Sequence, residues 1–170
     1  KLHSEPDVQS IVKKAIVDKM AAQYHRRGKL PESGSLYQLD VHIYKDTVRL
    51  SLDTTGESLF KRGYRIEHGG APLKENFAAS LIKLTPYDGT HPFIDPMCGS
   101  GTLPIEAALI ARNIAPGTWR KFAFDDFDWF DPSLHEELLE EAKSQVKPAE
   151  APIWASDIDQ SILEVAKLNA

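Results

Sequence analysis

The sequence predicts the α/β fold class, a parallel sheet with helical crossovers, preceded by a smaller α+β piece. Three observations support this. Apolar segments at 93–95 and 153–156 read as short buried strands, each followed by a helical pattern, the order that builds a parallel sheet. The first of these strands ends in an acid and a tight glycine turn, Asp95-Pro96-Met97-Cys98-Gly99-Ser100-Gly101. Residues 37–52 alternate apolar and polar with period two on both sides of a polar turn, which is a hairpin pattern and not a crossover pattern.

Taken in order, Ser4-Glu5-Pro6-Asp7 opens a helix, with Ser4 as cap, Pro6 in the first turn and Asp7 at the capping-box position. Val8, Ile11, Val12, Ala15 and Ile16 continue it on one apolar face toward Tyr24, and Arg26-Arg27-Gly28 ends it. A polar loop runs through Pro31 and Gly34. Tyr37, Leu39, Val41 and Ile43 alternate with polar residues, Lys45-Asp46 turns the chain, and Val48, Leu50 and Leu52 alternate on the return, giving an antiparallel hairpin. The stretch 54–70, rich in glycine and charge, marks the domain boundary, so that 1–70 and 71–170 form separate parts. Pro72 opens a helix with Phe77, Ala78, Leu81 and Ile82 on its apolar face. After the strand Phe93-Ile94-Asp95 comes a helix from about Thr102 to Arg112. An aromatic and acidic insertion then leads to a capping box at Ser133-Leu134-His135-Glu136 and a helix through about Gln145. Ile153–Ser156 is the second strand, and Gln160–Asn169 a final helix.

Composition narrows the function classes. The chain has one cysteine, Cys98, so neither an internal disulfide nor a multi-cysteine zinc site can form, and the six histidines show no metal-ligand spacing. No apolar run is long enough for a membrane span, and Lys1-Leu2-His3-Ser4 does not start a signal peptide. A reducing, cytoplasmic setting is expected, with no metal and no membrane partner. The net charge of −5 is unevenly spread: residues 1–70 balance to +3 and residues 71–170 to −8. A mildly basic front and an acidic back suggest different tasks, although surface charge also varies without function.

The chemistry sits at the glycine turn. Gly99 and Gly101 permit positive φ and lack a Cβ, so a ligand can approach the backbone. The helix that follows presents N–H donors. Asp95, at the carboxyl end of its strand, projects into the crevice where ligands of Rossmann-like sheets sit. The third glycine of the dinucleotide pattern is replaced by Pro104, and the Gly-Lys-Ser/Thr ending of a phosphate-binding P-loop is absent. An acid before the turn suits a ligand with an ammonium group and would repel a pyrophosphate. S-adenosylmethionine (SAM) has such a group, with a carboxylate and a ribose. Asp157, at the end of the second strand, is placed to accept from both ribose hydroxyls, with Ile158 against the adenine. Asp159 reads as a helix cap. Each part alone has a plainer reading, the glycines as an ordinary turn and the acids as caps. Cys98 lacks a nearby activating base and reads as a small turn residue, not a nucleophile. The aromatic run 122–130 could stack bases, but its acids favour a packed cover over the sheet.

These segments resemble the bacterial THUMP-domain RNA methyltransferases, which include the large-subunit ribosomal RNA guanine-N2 methyltransferases. The motif Asp95–Leu103 continuing through Pro104-Ile105-Glu106-Ala107-Ala108 is similar to the first motif of that family. Ser51–Glu57 with Arg62-Gly63-Tyr64-Arg65 resembles the end of the THUMP domain and its junction, and Ala71–Glu75, Asn113–Gly117 and Ser156–Asp159 also fit. The resemblance implies a class I SAM-dependent methyltransferase sheet. In it Asp95, Pro96, Met97, Cys98, Gly99, Ser100, Gly101 and Thr102 line the methionine end of the cofactor, and Asp157 and Ile158 its nucleoside end. It implies an RNA partner, large-subunit rRNA, and makes Lys61, Arg62 and Arg65 candidates for phosphate contacts, with ordinary junction salt bridges as the alternative. The family's Asn/Asp-Pro-Pro-Tyr/Phe segment does not occur in these 170 residues. The catalytic residues are therefore expected beyond Ala170, in a parent of which this chain is a piece cut at both ends. Two other function classes stay open: a non-catalytic RNA-binding module that retains a nucleotide-binding fold, and an NAD-dependent oxidoreductase, against which Pro104 counts.

Overall fold

The computed structural model describes residues 4–25, 33–66 and 72–170. The chain forms two compact units that part between Asp53 and Thr54.

In the first unit, helix α1 spans Glu5–Gln23. Its cap is the expected one, with the Asp7 amide donating to Ser4 Oγ at 3.4 Å. The expected helix stop at Arg26–Gly28 lies outside the described residues. Strands β1 (Leu39–Tyr44) and β2 (Thr47–Leu52) pair antiparallel, with Val41 opposite Leu50 and Tyr44 opposite Thr47. Lys45 and Asp46 both take positive φ, 46° and 60°, the two-residue turn whose twist matches that of the strands it joins.

The second unit contains the sheet. Helix α2 spans Glu75–Lys83, later than the expected opening at Pro72, with Lys74 as the cap residue. Its buried stripe is Glu75, Ala78 and Ile82, whereas Phe77 and Leu81 of the expected face are exposed. The stripe is rotated because Glu75 turns inward to an arginine partner. Strand β3 (Phe93–Asp95) pairs in parallel with strand β4 (Ile153–Ala155), Ile94 opposite Trp154 and Asp95 opposite Ala155. Helix α3 (Thr102–Ala111) packs on both strands and on α2 and is buried almost all round, at Thr102, Pro104, Ile105, Glu106, Ala107, Leu109 and Ala111. Ile94 and Trp154, opposite each other in register, are both exposed, so the apolar burial of this sheet is one-sided.

Helix α4 spans Pro132–Ser144 and starts before the expected capping box at Ser133. Asp131 is the cap and accepts from the Ser133 amide at 3.0 Å, and Pro132 fills the first helical position, where its missing N–H costs nothing. The aromatic insertion makes a 3-10 turn at Ala123–Asp126. Phe122 and Phe124 stack at 5.1 Å, and the ring of His135 meets both edge-on. The amides of Ala123 and Phe124 donate to the carbonyls of Thr55 and Thr54, so this cluster is tied to the junction segment. Helix α5 spans Gln160–Asn169, capped by Asp159 as expected, which accepts from the Ser161 amide at 2.8 Å.

Candidate cofactor-binding turn

The strand-end acids and the glycine turn are brought together at the carboxyl ends of β3 and β4. The Ser156 amide donates to the Asp95 carbonyl, and the Cys98 amide donates back to the Ser156 carbonyl, both at 2.9 Å. The sheet ladder thus continues into the turn and fixes it beside β4. The Gly101 amide closes the turn on the Cys98 carbonyl at 2.9 Å, and α3 starts from the Gly101 carbonyl. Gly99 and Gly101 have φ of 52° and 87°. A Cβ on Gly101 would lie 3.2 Å from Ala166 Cβ and 3.3 Å from Ile105 Cδ1, so this glycine lets α3 and α5 approach each other. A Cβ on Gly99 would meet nothing within 4 Å, so that side of the turn is open.

Asp157 reaches across to the turn. Its Oδ2 accepts the Gly99 amide at 2.9 Å and its Oδ1 the Asp159 amide at 3.0 Å. These amides, Asp159 first and then Gly99, hold its carboxyl below the ordinary carboxylate range. Asp95 Oδ1 accepts the Met97 amide at 3.1 Å. Asp95 Oδ2 is buried and has no hydrogen-bond partner among the described residues, which is costly for a carboxylate oxygen unless a further donor reaches it. Cys98 is buried, and burial, then the charges of Asp95 and Asp157, push its thiol above the usual range. That environment suits a packed turn residue and opposes a thiolate nucleophile. Ser100 and Thr102 are buried on the inner side of the turn, while Met97 and Ile158 are exposed on the outer side.

The junction cations have separate fates. Lys61 is at the surface, paired at 2.8 Å with Glu57 four residues earlier in the loop. Arg62 turns inward to Glu106, with Nε–Oε1 at 3.4 Å, and Tyr64 donates to the same carboxylate at 3.1 Å. Burial pushes the Glu106 carboxyl up against the opposing pull of Arg62, and the Tyr64 phenol is driven far up by burial and by Glu106. Arg65 is 8% exposed and pairs with Glu75 at 2.7 Å. For both arginines the geometry is that of a junction salt bridge, because each guanidinium is turned to a buried carboxylate and away from solvent. Glu106 carries a sequence signal of its own: a single charge inside the apolar run Leu103–Ile110 demands a partner. Neither Glu75 nor Asn169 carries such a signal.

Comparison with known proteins fits this geometry. Residues 62–170 match the family model described as "RMKL-like, methyltransferase domain". "Putative RNA methyltransferase YpsC" of Bacillus subtilis is 44% identical over 99% of the chain, and the ribosomal RNA large subunit methyltransferase K/L of Vibrio campbellii is 40% identical over 94%. The chain spans 44% of the first protein's length and 23% of the second's. The crystal structure of SMU.472, in complex with SAH, superposes on the whole chain with a TM-score of 0.95 at 46% identity, covering 45% of that protein. A Listeria monocytogenes protein described as "a predicted N6-adenine-specific DNA methylase" superposes on 99% of the chain with a TM-score of 0.93 at 48% identity, again over 45% of its length. The chain belongs to the RMKL-like methyltransferase domain family.

Proposed function

We propose that this chain supplies the cofactor-binding part of a SAM-dependent RNA methyltransferase, with large-subunit rRNA as substrate and a guanine N2 amine as the methylated group. One observation carries the reading: the buried Asp95 Oδ2, unpartnered among the described residues, beside an open glycine turn. Such an oxygen fits an ammonium donor, and SMU.472, which shares this fold at 46% identity, is a complex with SAH. When bound, the cofactor supplies an electrophilic methyl group on a sulfonium.

The chain's residues bind and orient. The Asp95 carboxylate, whose Oδ2 needs only a side-chain rotation to meet a donor, accepts from the ammonium, and the turn Pro96–Thr102 lines the methionine end. Asp157 accepts from the ribose hydroxyls. Each of its oxygens already takes one amide N–H, and each retains a lone pair for a second donor. Ile158, wholly exposed, covers the adenine. Residues 1–70 form the end of a THUMP domain and its junction, where Lys61 is the cation left at the surface for a phosphate. Arg62 and Arg65 support the junction from within. Target-amine chemistry belongs to the longer proteins of which this chain matches a part, acting on ribosomal RNA in the cytoplasm.

The test is calorimetric titration of the 170-residue chain with S-adenosylhomocysteine and, separately, with NADH. Binding of the adenosyl ligand alone, lost in Asp157→Ala, is expected. Preferential binding of NADH overturns the reading. For the substrate, a protein extended to the length of the relatives is incubated with labelled SAM and either large-subunit rRNA or DNA. N2-methylguanosine in the rRNA is expected. N6-methyladenine in the DNA would favour the activity named for the Listeria relative.

A further inference from the structure

We infer that Arg65, which lies outside the glycine turn and touches no part of its open face, sets the shape of that turn and thereby the affinity for the cofactor. The inference rests on the SAM reading for its binding test only. The guanidinium spreads four hydrogen bonds over the inner side of the turn and its surroundings. Nε donates to Glu75 Oε1 at 2.7 Å, Nη1 to Ser100 Oγ at 3.1 Å, and Nη2 to Thr102 Oγ1 at 2.8 Å and to the Leu73 carbonyl at 3.3 Å. Ser100 and Thr102 flank Gly101, so the two hydroxyls hold the turn on either side of its left-handed residue. The next residue of the junction adds a second grip. The Ile66 amide donates to Asn169 Oδ1 at 2.9 Å, and Asn169 Nδ2 donates to the Ser100 carbonyl at 3.2 Å. Glu75, Ser100, Thr102 and Asn169 are buried and the Arg65 side chain is only 8% exposed, so the guanidinium's bonds to the turn are largely shielded from bulk water.

A turn with two glycines is soft, because glycine loses the most conformational freedom on ordering. Its amide directions must nevertheless be held within about half an ångström to serve a ligand. Asp157 restrains the turn at Gly99 on the open side, and Arg65 restrains it at Ser100 and Thr102 on the buried side. The planar fork of arginine can serve three acceptors on separate elements at once, which the ammonium of lysine cannot reproduce. Arg65 is therefore a positioning residue.

The experiment compares the whole chain with Arg65→Lys and with Glu106→Gln, the latter weakening the neighbouring Arg62–Glu106 pair, whose hydrogen bonds go to Arg62 and Tyr64 and not to the hydroxyls of the turn. Melting temperature, S-adenosylhomocysteine affinity by calorimetry, and the amide NMR signals of Gly99 and Gly101 are measured for each. Arg65→Lys is expected to weaken binding by about tenfold or more and to shift or broaden both glycine signals. Glu106→Gln is expected to lower the melting temperature by a comparable amount, with affinity within about twofold of the parent and the glycine signals in place. Equal effects of the two variants on affinity and on the glycine signals would reduce Arg65 to a stability residue and overturn the inference. If the parent chain binds no adenosyl ligand, the SAM reading falls for this chain. The glycine signals still decide whether Arg65 orders the turn.

Discussion

Asp157 Oδ2 accepts the amide hydrogen of Gly99 at 2.9 Å, a bond that joins the end of the second parallel strand to the turn after the first across 58 residues of sequence. One carboxylate thus shapes the turn and, in the proposed binding mode, faces the ligand. Asp157→Ala is expected to abolish measurable S-adenosylhomocysteine binding, because it removes the proposed ribose acceptor and releases Gly99 together. Asp157→Asn, which keeps one acceptor oxygen, is expected to lose about tenfold to a hundredfold. Calorimetry on the two variants checks this, and equal affinity of Asp157→Ala and the parent would refute it.

The two glycines of the turn should respond differently to alanine. At Gly101 the new Cβ meets Ala166 and Ile105 at 3.2 and 3.3 Å, in a backbone of φ 87°. Gly101→Ala is expected to cost about 2–4 kcal/mol of stability through strain and crowding together. At Gly99 nothing lies within 4 Å, so Gly99→Ala should cost only about 1–2 kcal/mol for the left-handed conformation. Its methyl group points into open space, where the ligand is proposed to sit. Melting curves should rank Gly101→Ala as the less stable variant, whereas the binding defect of Gly99→Ala should exceed what its stability loss explains.

Cys98 should be a poor nucleophile. Burial and the neighbouring charges of Asp95 and Asp157 keep its thiol protonated at neutral pH. Alkylation by iodoacetamide near neutrality is expected to run more than about tenfold slower than for an exposed thiol. Cys98→Ala should fold and retain adenosyl-ligand binding within about threefold. Rapid labelling of the folded chain would contradict this.

Stability should fall on acidification as hydrogen-bonded carboxyls protonate, among them Asp131, Asp157 and Asp159 at the helix caps and the turn. Asp131 and Asp159 are held below their ordinary 3.8 by the hydroxyls and amides of Ser133 and Ser161, and Asp157 by the amides of Asp159 and Gly99. A carboxyl with a lowered folded value contributes fully above its unfolded value and loses that contribution as pH falls through the folded one. Melting temperature should therefore drop as pH falls below about 4. In the double variant Asp131→Asn/Asp159→Asn both caps can still accept an amide but no longer titrate, so its drop should be shallower. Parallel curves for parent and variant would assign the acid loss elsewhere.

Locally encoded features were legible in the sequence, and features set by distant partners were not. The Lys45-Asp46 turn, the helix from Thr102 and the Asp159 cap depend on neighbours within a few residues, and the structure has all of them; the strand Phe93–Asp95 is present too, marked in the sequence by its apolar run although its partner lies about 60 residues on. At the start of α4 Ser133 and Asp131 are both good caps, and Pro132 decides for Asp131 by taking the first helical position. The buried face of α2 is not readable from its apolar spacing, because Glu75 is drawn inward by Arg65, ten residues away. The inward turn of Arg62 and Arg65 depends on acceptors 44 and 35 residues on, which no local pattern encodes. At the turn the sequence places Asp95, Gly99 and Asp157 on one ligand crevice. It does not reveal that Asp157 also latches Gly99, or that one oxygen of Asp95 is left without a donor among the described residues.

The attachment of the junction to the sheet unit has a consequence for recombining such proteins. Residues 54–66 are hydrogen-bonded into the second unit through Arg62, Arg65 and Ile66, and the chain parts by compactness between Asp53 and Thr54. A hybrid that joins the front of one relative to the back of another at residue 70 would mate one parent's arginines with the other parent's carboxylates and hydroxyls. A hybrid spliced at 53/54 transplants Arg65 together with Glu75, Ser100, Thr102 and Asn169, so the graft arrives with the buttress of its own glycine turn.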